Sequence, residues 1–483
     1  MSYIKSNLVT IGNRELGRKM KLLSLSLYRV VIIISVLSVA FSISHIDNIK
    51  YNFIFLLPLS LLLISIFFYN LYDKYLYSIV FKLFIIQVCA RYTLLPVLIS
   101  WGQTFSIGAE SSYLNIAIFV MILELMSAFI AFRFFSTKNI KNISKDELTI
   151  SPLNNLVLLS IVLLLMFIYM YTSGSLSKVN FIWSLNSYIE NSVAGTDELE
   201  SSGVGILLFT PFKVLTALLF ISLVYKSSKI KNNKKKWFYL IIILLSSLII
   251  VGTSRLSIVF FVLPLVILTS SLVQKSDYKK ILNVTAIIMF IVLTVTTIAK
   301  FSIYDNEFSS SSILTASSVN AYFAGPGNIA VGYEAFEKVE GFDSILYFIN
   351  DVFQNVPLLS KLTLDEYKTT AKFNEEIYHH REYADQIVPL SISGLFHFGY
   401  IGVFIYSTFF LIVALHIEKI SYRVSFIGYK YILISLSMTL SLIFMLNIGS
   451  FFASFSRVFL FLFIPLFLIE RYSRMKNNLT RNN

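Results

Sequence analysis

Unbroken apolar runs, each long enough to cross a lipid bilayer, recur from residue 28 to residue 470 and limit the possible folds more than any other feature. A helix satisfies its backbone hydrogen bonds internally, so about 20 apolar residues rising 1.5 Å each can span the hydrocarbon core without baring polar groups to lipid. Twelve runs are read, near 28–46, 53–69, 76–99, 113–135, 153–171, 204–225, 238–252, 256–273, 281–299, 394–416, 431–450 and 457–470. The seventh is short. A membrane β-barrel would show polar and apolar residues alternating over about ten positions, and these runs do not. With 56% hydrophobic and 14% charged residues, too little polar surface remains to cover a globule in water. The expected fold is an all-α integral membrane protein with about 12 transmembrane helices.

Charge then orients the chain. Lys and Arg concentrate in cytoplasmic loops of membrane proteins. With a cytoplasmic amino terminus, 27 of the 40 basic residues fall on the cytoplasmic side and 10 on the other, while Lys82, Arg91 and Lys213 lie inside runs. Both termini are therefore expected in the cytoplasm. The basic arm before the first run (Lys5, Arg14, Arg18, Lys19, Lys21, Arg29) reads as part of an uncleaved signal anchor. The net charge of +13 is mostly this bias, with attraction to anionic headgroups, and does not imply nucleic acid. A single cysteine, Cys89, excludes an intrachain disulfide.

Three blocks follow: residues 1–299 with helices one to nine, a large external loop at 300–393, and residues 394–483 with helices ten to twelve and a cytoplasmic tail. A second external loop covers 172–203. Loops this long are uncommon unless they are functional or disordered. In the large loop a turn is expected at Gly325-Pro326-Gly327-Asn328, then a helix over 329–339. Phe342, Ile345, Leu346, Ile349, Val352 and Phe353 recur at helical spacing, which suits a helix on the membrane surface or one packed on the spans. Between residues 300 and 385, 13 acidic residues face 6 basic ones, so the loop offers carboxylates and hydrogen bonds to hydroxyl-rich ligands such as carbohydrate rather than trapping anions generally.

Five cations stand against this pattern, on or near the external side: Arg91, Lys213 just after Pro211, Arg255 at the turn Val251-Gly252-Thr253-Ser254-Arg255, Arg381 in the loop, and Arg457 at the start of the last run. A charge at mid-membrane costs roughly 2.5–3.5 kcal/mol on insertion scales, so intramembrane cations face a cavity or a partner. Several at one level point to an anion, and guanidinium offers forked donors that fit lipid phosphate or pyrophosphate. Snorkelling to headgroups is the simpler account of each residue alone, above all for Lys213 and Arg457. Glu124, in the fourth run, reads as a structural partner of Lys213 or Lys82 in preference to a proton carrier. Glu375, Glu376, His379, His380, Arg381, Glu382 and Asp385 crowd the approach to the tenth run. No HExxH pattern or cysteine pair supports a metal, and no nucleotide-binding fingerprint appears. A histidine or carboxylate in that segment is a candidate general base, and a solvated linker is the alternative.

Four patches resemble the bacterial O-antigen and enterobacterial common antigen polymerases, the Wzy group: Gly252-Thr253-Ser254-Arg255; Pro326-Gly327-Asn328-Ile329-Ala330; Ser454-Phe455-Ser456-Arg457-Val458; and 389–402 with Ser391, Ser393, Phe398-Gly399 and Gly402. They cover a small part of the chain, and their order and agreement with the topology carry the likeness. The resemblance implies a GT-C-like, metal-independent glycosyltransferase without a cofactor, in the bacterial inner membrane. Such an enzyme moves a growing glycan from undecaprenyl pyrophosphate onto a new lipid-linked repeat unit at the periplasmic face. Its partners would be that donor and acceptor, membrane lipid and a chain-length regulator protein. Arg255 and Arg457 would grip the donor pyrophosphate, with Arg91, Lys213 and Arg381 beside them. His380 is assigned as the base, backed by Asp385 and Glu382. An O-antigen ligase of the same superfamily and a lipid-linked oligosaccharide flippase or secondary transporter are the alternatives.

Overall fold

The computed structural model describes residues 25–45, 53–102, 111–135, 155–181, 204–229, 233–246, 249–251, 255–270, 275–304, 316, 319–320, 322–339, 343–357, 359–381 and 387–481. Among them the chain is helical apart from one short antiparallel pairing, Val179–Phe181 with Ile249–Val251. Among the described residues six helices are long and apolar enough to cross a membrane: Leu25–Ser44, Ile79–Trp101, Tyr113–Phe134, Leu207–Ser227, Leu390–Arg423 and Ile448–Tyr472. Leu56–Phe67, Leu156–Thr172, Ile258–Thr269 and Ile427–Leu440 are shorter apolar helices on four further runs. A 12-residue helix such as Leu56–Phe67 covers only about 18 Å of a hydrocarbon core about 30 Å thick. Among the described residues the structure therefore shows an α-helical protein suited to a membrane, with six helices of spanning length.

Contacts divide the chain into two units that do not follow the three sequence blocks. The first comprises residues 1–141, 310–416 and 440–452. Its core is aromatic: Phe81, Phe84, Phe129 and Phe132 are fully buried, with the Phe84 and Phe132 rings 5.0 Å apart. At one end the Tyr75 hydroxyl donates to the Phe132 and Phe135 carbonyls at 2.8 Å, and Lys74 Nζ donates to Phe135 O at 2.6 Å. These donors satisfy carbonyls that the last turn of Ser111–Phe134 cannot bond internally.

In this unit the large loop folds onto the spans. The helix expected at 329–339 runs Pro326–Glu337, so the glycine-proline-glycine-asparagine stretch is a helix start and not a separate turn. Proline fits the first helical position because its missing N–H would find no partner there. Ten of the helix's residues are buried, and it packs against Ser111–Phe134. Asn320 completes the start: its Oδ1 accepts from Gly327 N at 3.1 Å, its Nδ2 donates to Asn328 Oδ1 at 2.7 Å, and Asn328 Nδ2 reaches Ile387 O at 2.9 Å.

The tenth run is not one straight span. Leu390–Arg423 breaks at Phe398 (φ −140°, ψ 18°) and Gly399 (φ 63°, ψ −153°). Gly399 takes a backbone conformation open essentially to glycine alone. The Gly394 and Gly402 backbones then approach so closely that a Cβ on Gly402 would meet the Gly394 carbonyl. Residues 390–397, before the break, are all buried.

The second unit comprises residues 142–309, 417–439 and 453–483. Val204–Lys229 is its centre, packed on Leu156–Thr172 and Asn233–Ser246. The run read at 238–252 is not one span, because helix Asn233–Ser246 stops and Ile249–Val251 joins the strand pairing. Three β-branched residues suit that extended backbone. The last two runs also shift: Ile427–Leu440 ends early, and a new helix starts at Ile448, in the 440–452 stretch that belongs to the first unit, behind Asn447, whose Oδ1 accepts from Ser450 N at 2.7 Å.

Candidate functional site

Three of the five outlying cations, Lys213, Arg255 and Arg457, lie in the second unit. Lys213 is on Val204–Lys229, Arg255 is the first residue of Arg255–Ser270, and Arg457 is in the last turn of Ile448–Val458, two residues before the π-helical turn Phe459–Phe463. Val204–Lys229 contacts both Arg255–Ser270 and Phe459–Phe463. Lys213, half-buried, holds its ammonium 4.3 Å from the centre of the Phe261 ring. Phe261 is six residues beyond Arg255, roughly 9 Å along the helix axis. Arg457 is exposed, and it lies nine residues after the helix start at Ile448, in the last turn of that helix. Gly252, Thr253 and Ser254, which lead into Arg255, lie outside the described residues.

The other two cations belong to the first unit and have carboxylate partners. Arg91 stands in the π turn Ala90–Leu94 and is fully buried, with Nη1 2.5 Å from Glu124 Oε2. Glu124 thus pairs with Arg91, and not with Lys213 or Lys82. The Arg91 guanidinium also lies 4.5 Å from the Phe444 ring centre, and Ser391 stands beside the carboxylate. Ion pairing and cation–π contact together satisfy much of what burial removes from this cation. Arg381 is exposed and donates from Nε to Glu375 Oε2 at 3.1 Å.

The polar segment before the tenth run is tied up largely within the loop. Arg381's hydrogen bond holds the Glu375 carboxyl below the usual carboxylate range. Lys338 Nζ bridges Glu376 Oε1 at 2.6 Å and Glu334 Oε1 at 3.0 Å, and these two bonds raise the Lys338 ammonium above its ordinary value. Glu376 thus faces a lysine. Among the described residues no cluster of three His, Cys, Asp or Glu side chains could hold a metal ion. His380 is exposed just past the left-handed His379, while Glu382 and Asp385 lie outside the described residues.

Sequence reasoning missed a buried constellation in the first unit. His397 Nε2 lies 2.9 Å from Asp351 Oδ2, and His397 Nδ1 lies 2.7 Å from the Tyr406 hydroxyl. Asp351 Oδ1 also accepts from Thr369 N at 2.9 Å. His397 and Asp351 are almost wholly buried, and Tyr406 is 6% exposed. The group joins the loop helix Ser344–Phe353 to both sides of the Gly399 break. A histidine inside an apolar run, directly before Phe398-Gly399, was the one available signal.

What the fold defines at this point is a class: α-helical, with spans of membrane-crossing length and a large loop folded onto them. No protein-family model, curated protein or solved structure matches the chain.

Proposed function

We propose that this chain is a multi-spanning glycosyltransferase, with twelve crossings and a GT-C-like arrangement. It transfers a growing glycan from undecaprenyl pyrophosphate to a new lipid-linked repeat unit on the periplasmic side of the bacterial inner membrane. The observation that carries the reading is that Lys213, Arg255 and Arg457 belong to one unit, in which the helix bearing Lys213 contacts both the helix that Arg255 opens and the π turn that begins two residues beyond Arg457. As the sugar–phosphate bond breaks, the leaving pyrophosphate gains negative charge. Fixed cations in a low-dielectric site stabilise that charge most at the transition state. Guanidinium keeps its charge at any working pH and presents paired donors, so arginines can serve where other enzymes use a metal. Arg91, already paired with Glu124, is assigned to structure instead. The acceptor hydroxyl needs a base, and that role is given to His380, with Glu382 and Asp385 in support.

A secondary transporter of lipid-linked oligosaccharide is the second reading. The interrupted helix at Phe398–Gly399 beside a buried Asp351–His397 pair favours it, because transporters build their sites on broken helices. One experiment separates the two. Purified protein in liposomes receives only lipid-pyrophosphate repeat units, with no nucleotide or added metal. Elongated glycan made by the wild type and lost in Arg255→Ala, which should still insert normally, is the expected result. Movement of the repeat unit across the bilayer without elongation would establish the transporter. Normal polymer from Arg255→Ala would remove Arg255 from the mechanism.

A further inference from the structure

The loop helix Ser344–Phe353 is turned inside out relative to an ordinary surface helix. Ile345, Leu346 and Ile349 are 71%, 39% and 41% exposed, whereas Tyr347, Asn350 and Asp351 are buried. At about 100° of rotation per residue, the three exposed apolar side chains share an arc of about 100°, and Asp351 and Tyr347 lie on the opposite face.

This orientation is locked. Asp351 bonds His397 and Thr369 N, and Asn350 Oδ1 accepts from Leu364 N at 2.6 Å. The Tyr347 ring packs 5.3 Å from Phe396. Rolling the helix to bury its apolar stripe would break every one of these contacts and leave a carboxylate exposed to apolar surroundings. The stripe therefore stays outside.

Its surroundings identify what covers it. On the same helix the Phe348 ring lies 6.2 Å from Phe398, itself 50% exposed. Phe398 opens the exposed apolar side of the spanning helix, continued by Ile401 at 69% and Ile405 at 46%. A side of a spanning helix with that composition faces acyl chains. The exposed stripe of the loop helix thus adjoins a lipid-facing surface at Phe348–Phe398.

We propose that Ser344–Phe353 is a membrane-surface anchor, which inserts Ile345, Leu346 and Ile349 among the acyl chains of the leaflet on the loop's side. The large loop is then held to the bilayer at a fixed depth by apolar insertion on one face of this helix and by Asp351–His397 on the other. This does not depend on glycan transfer being the activity.

The test uses full-length protein carrying Cys89→Ala and a nitroxide attached at Ile349→Cys, in nanodiscs of phosphatidylethanolamine and phosphatidylglycerol. A second label at Glu366→Cys marks an exposed position in the same loop. The expected result is a label at 349 that collides more with oxygen than with a water-soluble nickel chelate, and the reverse at 366. Equal access of the nickel chelate to both labels would overturn the proposal. So would a label at 349 that becomes protected only when undecaprenyl pyrophosphate is added, because the stripe would then be a site for the polyprenyl chain. Should Ile349→Cys fail to fold, Ile345→Cys makes the same measurement on the same face.

Discussion

Replacing Glu124 by alanine tests the reading of the buried ion pair directly. Both side chains of the pair are fully buried, and Arg91 Nε and Nη2 find no hydrogen-bond partner among the described residues. Without Glu124 the buried guanidinium has no counter-ion. Removing one member of a buried pair costs about 3–5 kcal/mol, roughly two to nearly four orders of magnitude in the folding equilibrium. The Phe444 ring remains beside the cation and keeps the loss toward the lower end of that range. Arg91→Met should cost less, because an isolated buried carboxyl can take up a proton. The double replacement Arg91→Met, Glu124→Leu should return close to wild type, because apolar side chains of similar volume commonly replace buried pairs at little cost. Denaturant titration in mixed micelles, followed by tryptophan fluorescence, supplies the double-mutant cycle. Loss of less than about 0.5 kcal/mol for Glu124→Ala would refute the reasoning, since that is the range of an uninvolved surface position. A double variant as unstable as the single one would refute it too.

Gly399→Ala places a side chain on a backbone with φ 63° and ψ −153°, and should cost about 1–3 kcal/mol by strain alone, since open space surrounds the Cβ position. The same titration checks this, and Gly402→Ala should cost more, because the Cβ there meets the Gly394 backbone, which cannot step aside. For the proposed base, His380→Gln should lower the elongation rate by about 10²- to 10⁴-fold while donor binding persists. An elongation rate within about threefold of wild type in the liposome assay would transfer the base role to another group.

The helical character of the chain was legible because hydropathy acts locally: 20 neighbouring apolar residues meet the bilayer's demand without reference to the rest of the chain. Where helices are interrupted was less legible. The run at 394–416 reads as continuous, yet φ 63° at Gly399 breaks it, and the glycine permits that break without requiring it. The run at 238–252 likewise mixes a helix with a strand whose partner, Val179–Phe181, is distant in sequence. Among the charges, the sequence picked out Arg91 and Glu124 as residues needing explanation but offered Lys213 or Lys82 as the partner of Glu124, where the structure has Arg91, because pairing is decided by which helices pack together.

Sequence by itself therefore determined the apolar helical class and the residues too polar for their surroundings. Tertiary structure decided how each was satisfied: Arg91 by Glu124, Asp351 by His397, and Lys213 in part by the Phe261 ring. It also decided that Ser344–Phe353 turns its carboxylate inward and its isoleucines outward. The physical reason is one of range. Transfer of a side chain into an apolar medium is set by its own chemistry, whereas the ion pair or hydrogen bond that makes its burial tolerable must come from a group brought near by the fold.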